Sequence, residues 1–201
     1  MNECQAGVVG EDSVLPALAC EVGPMLANLG RLAEAARRTG AQIVHATFET
    51  LADNQAAARN NPLFGIVLKH TSTWTPGSKA VQVVPQIGVG PKDLIMPRHH
   101  GLSPSRGTEM LSVLRNLGVE TLIVAGVSLN VAVPSVAVDA VNEGFRVVVP
   151  TDGVAGTPAE YAAMVLKHTL AMVATLATCD EIADAWCAST EAPSVHQLQG
   201  G

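Results

Sequence analysis

The run Leu122-Ile-Val-Ala-Gly-Val-Ser-Leu-Asn-Val-Ala-Val-Pro-Ser-Val-Ala-Val-Asp-Ala140, followed closely by Gly144-Phe-Arg-Val-Val-Val-Pro-Thr-Asp152, constrains this chain more than any other. Two apolar stretches of strand length, the second interrupted only by Arg146, flank a stretch of helical length, and a Gly-containing turn separates the first strand from the helix. Strands apolar on both sides need cover on both faces. Two strands running the same way need a crossover, and the helix supplies it. The turn after Gly126 therefore lies at the carboxyl end of a parallel strand, where open α/β sheets bind their ligands.

The remainder follows the same alternation. Met1 to Gly7 reads as the end of a strand and its following turn, with the strand itself nearly absent. Ser13 to Cys20 suits a short helix. Pro24 fits the first turn of a longer one, with Met25, Leu29, Leu32, Ala33 and Ala36 on one face and Gly40 as its stop. Gln42 to Phe48 is a buried strand. Residues 50–91 form a long connection with turn signals at Asn60-Asn-Pro62, Thr75-Pro-Gly77 and Gly88 to Pro91, a length that implies function, an oligomer contact or a lid. Asp93 to Pro97 is the next strand, and Arg98-His-His-Gly-Leu-Ser-Pro104 is the loop at its end. Thr108 to Leu117 is a helix closed by Gly118, Glu120 to Ala125 a strand, and Asn130 to Asn142 a helix burying Ala132, Val133, Val136, Ala137 and Ala140. Phe145 to Val149 is another strand. Tyr161 to Thr178 reads as one long helix, apolar nearly all round from Leu170.

The expectation is one domain over residues 1–186, a three-layer α/β/α fold of Rossmann-like topology with a mostly parallel sheet, and a polar, flexible tail over 187–201. Composition agrees. Hydrophobic residues make up 48% and aromatics only 3% of the 201, so the core is aliphatic. A net charge of −6 leaves no basic stripe for nucleic acid. No apolar run has the length of a membrane span and no cleavable signal opens the chain. Cys4, Cys20, Cys179 and Cys187 lack CxxC spacing, which suits reduced thiols and a cytoplasmic location.

Three places can carry chemistry: Glu3-Cys-Gln5 at the first strand end, Arg98 at a later strand end, and Gly126-Val-Ser-Leu-Asn-Val-Ala132 opening a helix. Together they resemble the isochorismatase-like cysteine hydrolases, and the resemblance runs from Glu3 to about Asp184. In that family an Asp in an Asp-x-Gln pattern takes the thiol proton, a Lys favours the charged forms nearby, and a Cys attacks an amide or imide carbon. Glu3 matches the Asp, Arg98 the Lys and Ala132 the Cys. The nucleophile is missing, so covalent thioester chemistry at that position is excluded. Arg98 stays protonated and cannot relay protons as Lys does, but its planar fork still grips a carboxylate or phosphate.

Isochorismatases proper, within the same superfamily, also lack the cysteine and hydrolyse a vinyl ether by acid-assisted addition of water. The resemblance thus implies a hydrolase acting on a small, anionic molecule, with Glu3 as acid/base and Arg98 as clamp. It also implies a non-proline cis peptide at Val127-Ser128, aiming the N–H groups of Ser128 and Ala132 into a pocket beside the helix start near Asn130. His99 and His100 follow Arg98, and at most one of the two is expected to face the substrate, since neighbours on extended chain point opposite ways. By the same rule Cys4 points away from Glu3. His45 reads as a hydrogen-bonded core histidine. The Asp-x-His spacing of the related nicotinamidases is missing, so neither metal nor cofactor is expected. The other reading is a catalytically silent member that keeps the pocket for ligand binding or serves as an oligomeric scaffold. In either case a homo-oligomer is expected, through residues 50–91 or the helix from Tyr161.

Overall fold

The computed structural model describes residues 1–55 and 57–191. Strand follows helix through β1 (Val44–Phe48), β2 (Leu94–Arg98), β3 (Thr121–Ile123), β4 (Gly126–Val127), β5 (Arg146–Pro150), β6 (Val154–Ala155) and β7 (Thr175–Ala177). The helices are α1 (Ala6–Val9), α2 (Pro16–Ala19), α3 (Gly23–Thr39), α4 (Pro62–Val67), α5 (Met110–Asn116), α6 (Ala132–Asn142), α7 (Ala159–His168) and α8 (Cys179–Glu191). Every strand pairing is parallel: β1 with β2, β3 with β5, β5 with β7, and β4 with β6.

The N-terminal residues join these ladders into one sheet. Asn2 bridges Ala46 of β1 on one side and Gly126 of β4 on the other. Its N–H donates to the Ala125 carbonyl at 2.7 Å, its own carbonyl accepts from Val127 at 3.0 Å, and Glu3 N–H donates to Ala46 at 2.8 Å. The order across the sheet is therefore β2, β1, residues 1–3, β3/β4, β5/β6, β7. Residues 1–3 lie between the carboxyl ends of β1 and the β3/β4 segment. Beside Met1, between β1 and β3, lies a cavity of about 520 Å³. The Met1 ammonium donates to the Val44 carbonyl at 2.9 Å.

Alternation along the strands divides the core in two. Ile123, Ala125 and Val148 pack with Leu29, Leu32 and Ala36 of α3 and Ile182 of α8. Leu122, Val124, Val147 and Val149 pack with Leu114 of α5, Val133, Val136 and Ala140 of α6, and Val165 of α7. Helices thus cover both faces, as the all-apolar strands require. Gly40 ends α3 at φ 79, and Pro24 sits in its first turn. His45 is 1% exposed, its Nε2 3.0 Å from Asp93 Oδ2, as expected of a core histidine. Arg37 reaches the same carboxylate at 2.8 Å, tying α3 to the start of β2.

Three elements depart from the sequence reading. The run Tyr161 to Thr178 is not one helix: α7 ends at His168, a 3-10 turn spans Leu170–Met172, and β7 extends the sheet. The apolar girth from Leu170 belongs to a sheet edge and its approach. The polar stretch assigned to a tail from residue 187 is helical through Glu191, as the last turns of α8. Residues 192–201 of that tail lie outside the described residues. Helix α6 starts at Ala132, two residues later than expected. No described helix is long and apolar enough to cross a membrane.

Candidate active site

At the carboxyl edge of the sheet the strand ends surround a cavity of about 370 Å³. Arg98 closes β2, Phe48 closes β1, Glu3 follows the inserted Asn2, and Ser128 follows β4, so consecutive positions in the sheet deliver consecutive side chains to one place. Glu3 adopts φ 50, a left-handed conformation that few non-glycine residues take without support. The hydrogen bonds of Asn2 and Glu3 to both neighbouring strands hold it there.

The Glu3 carboxylate lies 2.5 Å from Arg98 Nη2, and their side chains are 15% and 5% exposed. Arg98 Nε donates to the Gly101 carbonyl at 3.2 Å, and the guanidinium carbon stands 5.0 Å from the centre of the Phe48 ring. Its Nη1 is buried without a hydrogen-bond partner. Opposite, Ala132 lines the cavity as the first residue of α6. A first-turn N–H has no acceptor inside its own helix. Among the described residues, neither Ala132 N–H nor Ser128 N–H makes a hydrogen bond. The expected cis peptide is present at Val127-Ser128.

Five of the eight residues singled out from sequence line this cavity: Glu3, Arg98, Ser128, Asn130 and Ala132. Asn130 serves the frame more than the interior, because its amide donates to the Thr157 carbonyl at 2.6 Å and accepts from Thr157 N–H at 3.0 Å. Three do not line it. Val127 is fully buried in the core, so only its backbone shapes the turn. His99 turns toward Glu49, Nε2 to Oε1 3.8 Å, and His100 is exposed with its ring beside Gly107. After Arg98 the chain leaves the extended conformation, so alternation no longer decides which neighbour faces inward. Cys4 is 2% exposed and does not line the cavity, and burial pushes its thiol up to about 12.

The sequence reading missed the wall of the cavity. Phe48 stacks on Phe64 of α4 with ring centres 5.6 Å apart, and meets Trp74 edge to face at 6.4 Å. Phe64 and Trp74 come from the connection 50–91, which Thr50 anchors: its N–H donates to the Trp74 carbonyl and its hydroxyl to the Thr71 carbonyl, both at 2.8 Å. Gln5 holds Phe48 from the other side. Its amide accepts from Phe48 N–H and donates to Phe48 O, both at 2.7 Å, and reaches Ala80 O at 3.2 Å. Gly7 is indispensable here, since a Cβ would run into the Trp74 indole. With three Phe, two Trp and one Tyr in the chain, half of all its aromatic residues face one cavity, and that scarcity was the available signal. Among the described residues no group of three or more His, Cys, Asp or Glu side chains is placed to hold a metal ion.

Comparison with known proteins gives the same picture at the level of the whole chain. The cysteine hydrolase from Pseudomonas syringae pv. phaseolicola superposes with a TM-score of 0.79 at 16% identity, covering 94% of this chain and 91% of that one. An isochorismatase family protein from Burkholderia thailandensis superposes at 0.78 with 22% identity, covering 92% of each. In sequence, the uncharacterized isochorismatase family protein YecD of Escherichia coli O157:H7 is 30% identical over 79 residues, 39% of this chain. That match spans 42% of YecD, less than half its length. The isochorismatase domain model matches residues 3–181, from the carboxylate at the sheet's centre to the first turn of α8, and this chain belongs to the isochorismatase family of hydrolase folds.

Proposed function

We propose that this chain is a hydrolase that adds water to a small molecule without a covalent enzyme intermediate. Glu3, paired with Arg98, accepts a proton from water as the water oxygen bonds to the substrate, and returns that proton to the departing group as the scissile bond breaks. The free Nη1 of Arg98 grips an acceptor atom of the substrate. The N–H groups of Ser128, just after β4, and of Ala132, at the start of α6, receive negative charge as it develops. Ala132 offers only a methyl group where the family resemblance puts a thiol, so water is the nucleophile. The observation that carries this reading is the Glu3–Arg98 pair, set in an apolar cavity across from two unbonded N–H groups.

The test is turnover on a panel of amides, esters and vinyl ethers, followed by Glu3→Gln on whichever substrate reacts. The amide keeps shape but cannot take the proton, and kcat is expected to fall by a factor of about 100 or more. Undiminished turnover in Glu3→Gln would overturn the assignment. A second reading is supported by the Ala132 methyl and by the engagement of Glu3 with Arg98: a member that binds its ligand and does no chemistry. Ligand binding with no turnover across the whole panel would establish that one.

A further inference from the structure

The sequence reading takes Arg98 as a clamp for an anion, but the cavity's charges are already matched. Among the described residues lining it, Glu3 and Arg98 alone are charged, and they neutralise each other at 2.5 Å. A carboxylate entering beside them would leave water for an apolar space, compete with Glu3 for the guanidinium and stand next to the Glu3 oxygens. Charge taken from water without a free partner is strongly disfavoured. What the pair leaves over is one buried donor, Arg98 Nη1, with no hydrogen-bond partner. A neutral oxygen acceptor satisfies it without displacing Glu3.

The remaining surface calls for a flat apolar body. Phe48, Phe64 and Trp74 form a contiguous aromatic wall, faced by Leu15, Leu63 and Val131. A volume of about 370 Å³ falls in the range of pockets that enclose small organic ligands. Rings stack on rings with specific offset and edge geometry, which aliphatic walls alone do not favour.

We infer that the cavity takes an uncharged aromatic molecule bearing one carbonyl or ether oxygen, the ring against Phe48, Phe64 and Trp74 and the oxygen on Arg98 Nη1. This rests on the same cavity being the substrate site, and it names the substrate class. Glu3 then has a second role as selectivity filter: by cancelling the Arg98 charge it turns anions away.

Three probes of nearly equal shape separate the possibilities by calorimetry: 2-acetonaphthone (neutral acceptor), 2-naphthoate (anion) and 2-ethylnaphthalene (no acceptor). The ketone is expected to bind wild-type protein about tenfold more tightly than either of the others. Glu3→Gln frees the guanidinium charge, and the preference should turn toward 2-naphthoate. Trp74→Leu should weaken all three by a similar factor, which locates the binding even if the Glu3 variant is unstable. Naphthoate binding as tightly as the ketone to wild type overturns the inference, as does binding by none of the three. None of the probes can be hydrolysed, so the outcome is independent of turnover. A protein that prefers the ketone yet hydrolyses nothing loses the catalytic reading and keeps this one.

Discussion

Arg98 Nη2 meets Glu3 Oε1 at 2.5 Å across the end of β1, so the two partners come from the strand position on either side of Phe48. Nε and Nη1 of the same guanidinium point elsewhere, one to the Gly101 carbonyl and one to no protein partner. Arg98→Lys keeps the charge, but one ammonium cannot serve Glu3 and Gly101 in that geometry. Arg98→Met leaves Glu3 without its partner in a buried setting. Urea unfolding should show the Met variant less stable by about 3 kcal/mol and the Lys variant by about 1–2 kcal/mol. Equal stability of all three forms would mean the pair is not held in solution.

Thiol reagents should leave activity intact. Cys4 and Cys179 are buried, and burial, joined for Cys179 by the nearby Asp152, pushes both thiols up to about 12. Cys20 and Cys187 are exposed and do not line the cavity. Iodoacetamide at neutral pH should label those two, by mass, with no change in turnover or in 2-acetonaphthone binding. Ala132→Cys should gain little amidase activity, because Arg98 does not relay protons as a lysine would.

Stability should fall with acid in two pH ranges. Burial holds the His45 imidazole below its usual value, against the opposing hydrogen bond to Asp93. The unfolded chain therefore takes up a proton there that the native state refuses, and stability falls as pH drops below about 6.5. The buried Met1 ammonium acts with the same sign below 8.0. Asp93 behaves differently. Burial raises its carboxyl, but hydrogen bonds from Arg37, Gly90 N–H and His45 outweigh that and hold it at about 2. Its contribution is complete above about pH 4 and is lost as pH falls toward 2, an effect of order 2 kcal/mol. Denaturation midpoints at pH 7.5, 5.5 and 3 should show both steps. His45→Gln should shrink the upper one to the share of Met1 and, with the Gln amide donating to Asp93 in place of the imidazole, leave the lower.

Gly126 sits at φ 99 where Asn2 crosses the sheet, and an added Cβ would strike the Asn2 carbonyl, with Asn2 N at 2.8 Å and Cys4 Sγ at 2.9 Å. Gly126→Ala combines a forbidden backbone conformation with a backbone clash. A loss of about 3 kcal/mol or more is expected from the thermal midpoint. A change under about 0.5 kcal/mol, the range of unremarkable surface substitutions, would show that Asn2 is not fixed there.

We also propose self-association through α7 and the turn beyond it, where Tyr161, Met164 and Met172 are 49%, 54% and 82% exposed. Apolar side chains grouped this way mark contact surfaces. Light scattering should give a multimer mass, and Met164→Glu with Met172→Glu should lower it. A monomer mass in the parent chain would count against the proposal.

The centre of the sheet was legible because Leu122 to Val124 and Val147 to Val149 are apolar on both faces. The segment from Leu122 to Asp152 states two strands and a crossover without help from packing. Glu3, Arg98 and Ala132 came from the family resemblance, and they line one cavity because strand ends in such a sheet converge at one edge. The error at Tyr161 to Thr178 arose because a three-residue strand is too short to impose a period of two on apolar surroundings. The aromatic wall was hidden for the opposite reason. Phe64 and Trp74 lie in a connection without periodicity, and only the hydrogen bonds of Thr50 and Gln5 fix where that connection folds back.

Residues 1–3 make hydrogen bonds to strands on both sides, and the third of them carries the carboxylate. Most enzymes can fray a working loop while the scaffold stands. On the proposed function frame and tool are one, since the residue that carries the carboxylate directly continues Asn2, which is bonded to the strands on both sides. Loss of activity on warming should therefore track global unfolding rather than precede it.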